Sequence, residues 1–329
     1  MVMEHIRRAA SRRALPLAVL LPAAALMAAA PSSASVSGGS ATPLGGTSEG
    51  AKPTVVLVHG YWADASGWDR TVESLQKRGY PVVATANPLR SLSGDADYLA
   101  ARLKTIEGPI VLVGHSYGGA VITNAAAGNP NVESLVYIAG FAPDKGETAF
   151  QLATKFPGSQ LSDDPAAPVP TALNAVPLGG AATNVDLYLK PEKFRSVFLS
   201  DRVDASRAGV LAATQRGATV ASGNEPTKGV AWKDIPSWAL VPTDDRTIGT
   251  DNLRFMAERA RAMTVEVDAP HAVMETNPDD VTDLILQAAG DARPSLAKTG
   301  SSGPNAILGG AAALAVAAGA TIVIRARRT

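Results

Sequence analysis

Val111-Leu112-Val113-Gly114-His115-Ser116-Tyr117-Gly118-Gly119-Ala120 is the stretch that decides the fold. An apolar run of strand type ends at Gly114, and Ser116 then sits among small residues. Helix-compatible apolar residues (Val121, Ile122, Ala125–Ala127) follow. Strand, tight turn and helix in this order are the context of a G-x-S-x-G nucleophile elbow. A serine on so sharp a turn needs a strained backbone, and side chains at Gly114 and Gly118 would collide with the neighbouring strand and helix. The turn also places the next backbone N–H groups at a helix N-terminus, where negative charge is stabilised.

Around this stretch apolar runs alternate with helical patterns. Pro53–His59 reads as a buried strand, and Pro81–Thr85, Ile110–Val113, Ser134–Ala139, Ser237–Val241 and Met263–Val267 read as further strands. Ser66–Gly79 (with Ser66 as cap), Asp95–Ile106, Ser116–Ala127, Asn252–Arg261 and Pro278–Ala289 read as helices. Continuous apolar strands between helices predict an α/β fold, a mostly parallel, doubly wound sheet covered on both faces. From about 143 to 236 the alternation stops, and prolines, short helical pieces (Pro191–Leu199, Ala205–Gln215) and scattered aromatics take over. So long an insertion reads as a helical cap over a site rather than a loop.

The chain ends carry signals of their own. Arg7, Arg8, Arg12 and Arg13 precede an apolar stretch, Ala14–Ala30, and a small-residue run. Residues 1–34 therefore read as a secretory signal, cut after Ser32-Ser33-Ala34 or after Ala28-Ala29-Ala30, with a retained membrane anchor as the rival. A linker covers 35–50 and the folded domain 51–290. In the 291–329 segment, Leu296-Ala297-Lys298-Thr299-Gly300 precedes a charge-free run of about 19 residues, Ala306–Ile324, and then Arg325, Arg327 and Arg328. Pentapeptide, apolar span and basic tail resemble a sortase cell-wall sorting signal. The resemblance implies cleavage by a sortase between Thr299 and Gly300, attachment to peptidoglycan, and an extracellular catalytic part; a plain C-terminal membrane anchor is the alternative. The 30 basic and 30 acidic residues balance, with no basic cluster inside the domain, which gives nucleic acid no purchase. There is no cysteine, and a core of roughly 240 residues needs none.

A serine hydroxyl becomes a useful nucleophile only when a base removes its proton. Once the signal is removed, His59, His115 and His271 are the candidates. His115 adjoins the serine, where the turn directs the two side chains apart, and His59 ends the first strand. His271 lies in the loop after the last strand, at the sheet's carboxyl end, and comes last in the Ser…Asp…His order. The acid that orients it should follow the Ser237–Val241 strand. Asp244 and Asp245 both stand there; Asp245 is the choice by resemblance to related hydrolases, which place the acid fourth after this strand, and Asp244 is the alternative. The negative oxygen of a tetrahedral intermediate needs two N–H donors, each contributing about 2.7–4 kcal/mol. Those are expected from Tyr117 and, across the His59-Gly60-Tyr61-Trp62 loop, from Tyr61. Gly60, Trp62 and His115 are expected in the substrate pocket, with cap aromatics such as Phe194 and Phe198. No metal or cofactor is called for.

Val58-His59-Gly60, Trp68, Gly114–Gly119, Asp245 and His271 resemble the α/β-hydrolase superfamily over nearly all of the domain. The Gly60…Trp68 spacing and Gly-His-Ser-Tyr-Gly-Gly look most like small esterases related to plant hydroxynitrile lyases. Those lyases carry a lysine after the catalytic histidine and a threonine in the oxyanion loop; here stand Ala272 and Gly60. The departure favours hydrolysis. With an apolar pocket expected from Tyr61, Trp62, Tyr117 and the cap aromatics, the reading is a carboxylesterase acting on uncharged esters through an acyl-enzyme. The rivals are a C–C lyase on the same scaffold and an inactive surface binding module.

Overall fold

The computed structural model describes residues 52–291, apart from 165, 168, 182 and 183. The predicted signal, the first linker, the sorting pentapeptide, the apolar span and the basic tail lie outside the described residues. Six strands make one all-parallel sheet: β1 (Thr54–Val58), β2 (Val82–Thr85), β3 (Ile110–His115), β4 (Val132–Ile138), β8 (Ser237–Pro242) and β9 (Met263–Val267). Their order is β2-β1-β3-β4-β8-β9. The chain steps outward from β1 to β2 and then returns to place β3 on the other side of β1. The order therefore reverses between β1 and β3, and open α/β sheets bind ligands at the carboxyl ends beside such a switch.

Side chains alternate along each strand and so feed two cores. Val55, Leu57, Val111, Val113, Val136 and Ile138 point to one face, where Trp68, Leu75, Val281, Leu284 and Ile285 cover them. Val56, Val58, Ile110, Leu112 and Leu135 point to the other, beneath α2 (Leu92–Leu103), α3 (Tyr117–Ala125) and α8 (Thr250–Arg259). The first face carries α1 (Asp69–Lys77) and α10 (Pro278–Ala288). Burial on both faces is why these strands read as unbroken apolar runs.

Helix starts differ from the sequence expectation because the capping side chains do. Asp64 Oδ1, not Ser66, takes the orphan amide before α1, accepting from Ser66 N at 2.8 Å, and a 3₁₀ turn (Ala65–Trp68) precedes the α-helix. Ser91 accepts from Gly94 N and starts α2 three residues before the expected Asp95.

After β4 the chain leaves the sheet until residue 237. This insertion carries the helices α4 (Ala149–Ala153), α5 (Pro191–Phe198), α6 (Ala205–Thr214) and α7 (Val220–Asn224). Besides helices it contains a three-stranded antiparallel sheet, β5 (Leu173–Pro177), β6 (Val185–Leu189) and β7 (Ala218–Thr219), in that order. Such short strands, one ending in proline, have too little periodicity to announce themselves. Among the described residues no helix is long and apolar enough to cross a membrane.

Candidate active site

Ser116 sits between β3 and α3 with φ 53° and ψ −125°, a conformation that disfavours any residue bearing a Cβ. Its neighbours hold it there. Ser116 N donates to Ile138 O (3.2 Å), and Ser116 O accepts from Gly119 N (2.9 Å) and Phe141 N (3.0 Å). Strain of this kind amounts to about 1–3 kcal/mol and persists only where surrounding bonds over-determine it. The flanking glycines answer to close approach: a Cβ on Gly118 would lie 2.4 Å from Val58 O, and one on Gly60 would lie 2.6 Å from Ser116 Cβ. The loop after β1 therefore rests directly on the serine.

Two further loops at the same sheet edge bring an imidazole and a carboxylate. His271, in the loop between β9 and α9 (Val273–Thr276), hydrogen-bonds through Nδ1 to Asp245 Oδ2 at 2.6 Å, both side chains fully buried. Asp245 follows β8. Its other oxygen accepts from the amides of Thr247 (2.9 Å), Ile248 (2.8 Å) and Gly249 (3.3 Å). Burial works to raise this carboxyl, but the adjacent imidazole and these amides hold it below the usual carboxylate range. Asp244 points elsewhere, into ion pairs with Arg246 (3.0 Å) and Arg202 (3.3 Å). Of the two acids, Asp245 is the one that meets His271.

His271 Nε2 is buried and has no hydrogen-bond partner among the described residues, so no bond to Ser116 Oγ is formed. Such bonds are often long in unliganded sites and tighten with substrate. The loops of Ser116 and His271 are nonetheless joined, since His115 Nε2 donates to His271 O at 3.1 Å. The cap presses on the same loops: Ala272 N donates to Phe198 O, and Thr247 Oγ1 to Val197 O.

The loop after β1 is latched by His59. Asn87 N donates to His59 Nε2 (3.0 Å), which leaves Nδ1–H to donate to Gly60 O (3.0 Å), and Asn87 Nδ2 returns to His59 O (2.9 Å). Burial lowers the pKa of this imidazole and keeps that tautomer neutral. Tyr61 stacks on Tyr117 with ring centroids 4.4 Å apart. The Tyr61 hydroxyl pairs with Ser222 Oγ (2.8 Å), and that of Tyr117 donates to Asp95 Oδ2 (2.9 Å). Stacking fixes the two backbones, and among the described residues neither amide N–H has an acceptor. Sequence reasoning gives no role to Asn87 or Ser222 and reads Asp95 only as a helix start. Asn87, two residues past the carboxyl end of β2, is the one whose position singles it out, while Asp95 sits in the first turn of α2.

A cavity of about 380 Å³ opens under the cap, walled by Tyr61, Trp62, Phe150, Leu161, Leu173 and Leu187 among others. Thr154, Ser159, Ser162, Thr219 and Asn224 are its polar members, and among the described residues no charged side chain lines it. Trp62 belongs to this wall, its Nε1 donating to Leu187 O of the cap at 3.1 Å. Gly60 and His115, expected in the pocket, do not line it. Gly60 lies over the serine instead, and the His115 ring is fully buried beside that of His271. Phe194 and Phe198 are buried and border a smaller cleft on the other side of Trp62, while Phe150 and Phe156 line the cavity. Among the described residues no group of three or more His, Cys, Asp or Glu is placed to hold a metal ion.

A family profile described as "Alpha/beta hydrolase family" matches residues 55–284. A carbendazim hydrolyzing esterase of Nocardioides sp. (strain SG-4G) is 34% identical over 113 residues, which is 30% of this chain and 47% of that protein. The chain thus spans about half the length of that relative. A pyrethroid hydrolase of Sphingobium wenxiniae is 27% identical over 279 residues, covering 78% of this chain and 96% of that protein. Among solved structures, polyneuridine aldehyde esterase superposes with a TM-score of 0.61 at 18% identity, over 72% of this chain and 98% of that one. At that identity the likeness speaks for the fold alone.

Proposed function

The chain belongs to the alpha/beta hydrolase family, and from that premise we propose a serine carboxylesterase for uncharged, largely apolar esters. The observation that carries this reading is the buried His271–Asp245 pair at 2.6 Å, on a loop tied to the strained Ser116. The esterase and hydrolase names of the relatives agree with an ester substrate.

In the proposed reaction Ser116 Oγ bonds to the ester carbonyl carbon as His271 Nε2 takes its proton. Asp245 holds Nδ1–H, which keeps Nε2 unprotonated beforehand and stabilises the imidazolium afterwards. The carbonyl electron pair moves onto oxygen, met by the Tyr61 and Tyr117 amides. When the tetrahedral centre collapses, the C–O bond to the alcohol breaks and His271 returns the proton to it. Water, deprotonated by the same imidazole, then bonds to the acyl carbon, the C–Oγ bond breaks, and His271 returns the proton to Ser116 Oγ as the acid leaves. The cavity is not lined by Ser116 or His271 and joins the site through Tyr61 and Trp62. It has room for an apolar portion of the ester, and among the described residues no charged side chain lines it to pair with an ionised one.

Export and wall anchoring belong to the proposal. They rest on residues 1–34 and on Leu296-Ala297-Lys298-Thr299-Gly300 with its apolar span and basic tail. A fluorophosphonate should label Ser116, and labelling should vanish in His271→Ala. A folded protein that is neither labelled nor active on a panel of p-nitrophenyl esters would instead be a binding module. Mass spectrometry of wall digests should find a chain ending at Thr299; a full-length tail in the membrane fraction would overturn the anchoring.

A further inference from the structure

The proposed chemistry gives His115 no part, yet few side chains are so closely confined. It ends β3, is 0% exposed, and meets Trp68 and Phe198 edge-on, with ring centroids 6.3 and 6.2 Å away. The His271 ring is tilted against it at 4.8 Å. A carbonyl only accepts, so the 3.1 Å contact with His271 O must be donated by His115 Nε2–H. That assigns the tautomer and leaves Nδ1 a bare acceptor, which is buried without a partner. An orphan acceptor in the core is unfavourable, and a leucine would fill the space without one. What the histidine supplies in return is the donor to His271.

That donor acts on the residue that carries the base, in a loop whose other residues are held elsewhere: Arg202 Nη1 donates to Asp268 O (3.1 Å), Asp244 N to Ala269 O (3.2 Å) and Ala272 N to Phe198 O (3.2 Å). The His271 ring is hydrogen-bonded at Nδ1 only and packs against Phe198 (5.2 Å) and His115 (4.8 Å), while its backbone carbonyl accepts from His115. We propose that His115 is a positioning residue: its Nε2–H pins the backbone carbonyl of His271, so that the imidazole is aimed before substrate arrives. The inference rests on reading Ser116 and His271 as nucleophile and base. Burial, and then the neighbouring His271 charge, push the His115 pKa down to about 3. It therefore stays neutral and adds no second positive charge beside the imidazolium that forms at His271.

The test compares His115→Leu, which fills the space without a donor, with His115→Gln, whose amide nitrogen reaches as far as Nε2. Three readouts are taken on the full chain: kcat and KM for p-nitrophenyl butyrate, the rate of fluorophosphonate labelling, and the NMR resonance of His271 Nδ1–H, assigned by its loss in His271→Gln. The leucine variant should lose at least about tenfold in kcat and labelling rate, with KM within about twofold. Its Nδ1–H resonance should shift or broaden. The glutamine variant should recover kcat to within about threefold and restore the resonance. Leucine with unchanged kcat and resonance, or leucine and glutamine equally impaired, overturns the inference. If the leucine variant does not fold, His115→Asn replaces it, because its shorter amide cannot reach the carbonyl, and the same outcomes apply. A wild-type protein that neither hydrolyses nor labels sinks the esterase reading. The resonance comparison still decides whether His115 positions the ring.

Discussion

Replacing Asp245 with asparagine isolates the step on which the proposed chemistry turns. The carboxylate's two oxygens do different work: Oδ1 accepts from three amides, and Oδ2 accepts from His271 Nδ1. In Asp245→Asn the side-chain NH₂ cannot face three N–H donors, so the amide oxygen must keep that side. The NH₂ then occupies the place of Oδ2 and has to donate to Nδ1. His271 is forced into the tautomer with its proton on Nε2, where it cannot accept one from Ser116. The geometry survives while the base is lost, a change worth on the order of 10⁴ in kcat, or about 5.4 kcal/mol at 1.36 kcal/mol per decade. Asp244→Asn is the matched control. It removes only partly exposed ion pairs with Arg246 and Arg202, worth less than about 1 kcal/mol, and should leave kcat within about twofold. Initial rates on a p-nitrophenyl ester, with labelling mapped to Ser116 and melting curves for each variant, make the comparison. Asp245→Asn within tenfold of wild type, or Asp244→Asn equally impaired, would refute the reasoning.

Gly60→Ala would put a methyl 2.6 Å from Ser116 Cβ and 2.8 Å from His115 O, displacing the loop that carries the Tyr61 amide. We expect kcat to drop by roughly 10²–10³, as for loss of one oxyanion donor, together with a lowered melting temperature, since overpacking of this kind costs about 1–3 kcal/mol. Acid should destabilise the fold before any loss of ordinary carboxylates. The buried His115 has its pKa depressed to about 3, so below pH 6.5 the unfolded chain binds a proton that the folded one refuses. Its contribution is complete above 6.5 and lost as pH falls toward 3, by as much as about 5 kcal/mol. The lowered Asp245 carboxyl adds loss in the same direction, below the usual carboxylate range. Thermal melts against pH should show this slope, and His115→Gln should flatten it between 6.5 and 3; an unchanged slope would contradict the burial argument. Val220→Trp narrows the cavity from its cap side. It should raise KM for a p-nitrophenyl hexanoate by about tenfold while acetate hydrolysis changes less than threefold, and equal loss on both esters would place the acyl chain elsewhere.

Much of the architecture was legible because parallel strands buried on both faces must be apolar throughout, as Val55–Val58 and Ile110–Val113 are. The elbow was legible for a related reason: only glycine tolerates backbone contact at positions such as Gly114 and Gly118, so sterics write themselves into the residue types. The cap sheet was not, since β5 to β7 are too short to show a period and find their partners only in three dimensions. The direction of His115 lay within reach. Alternation from Val111 and Val113 puts it on the face of Trp68, α1 and α10, where its ring is buried between Trp68, Phe198 and His271 and does not line the cavity.

The sequence alone determined the fold class, the strained serine and the candidate loops, because each depends on local residue chemistry: side-chain size at a turn, apolar period along a strand, order along the chain. Tertiary structure decided which acid meets His271, what His59 and His115 bond to, and where the cavity lies. Asp244 and Asp245 are adjacent and chemically identical, and nothing local separates them. Only the folded loops turn one toward a buried imidazole and the other toward two arginines at the surface.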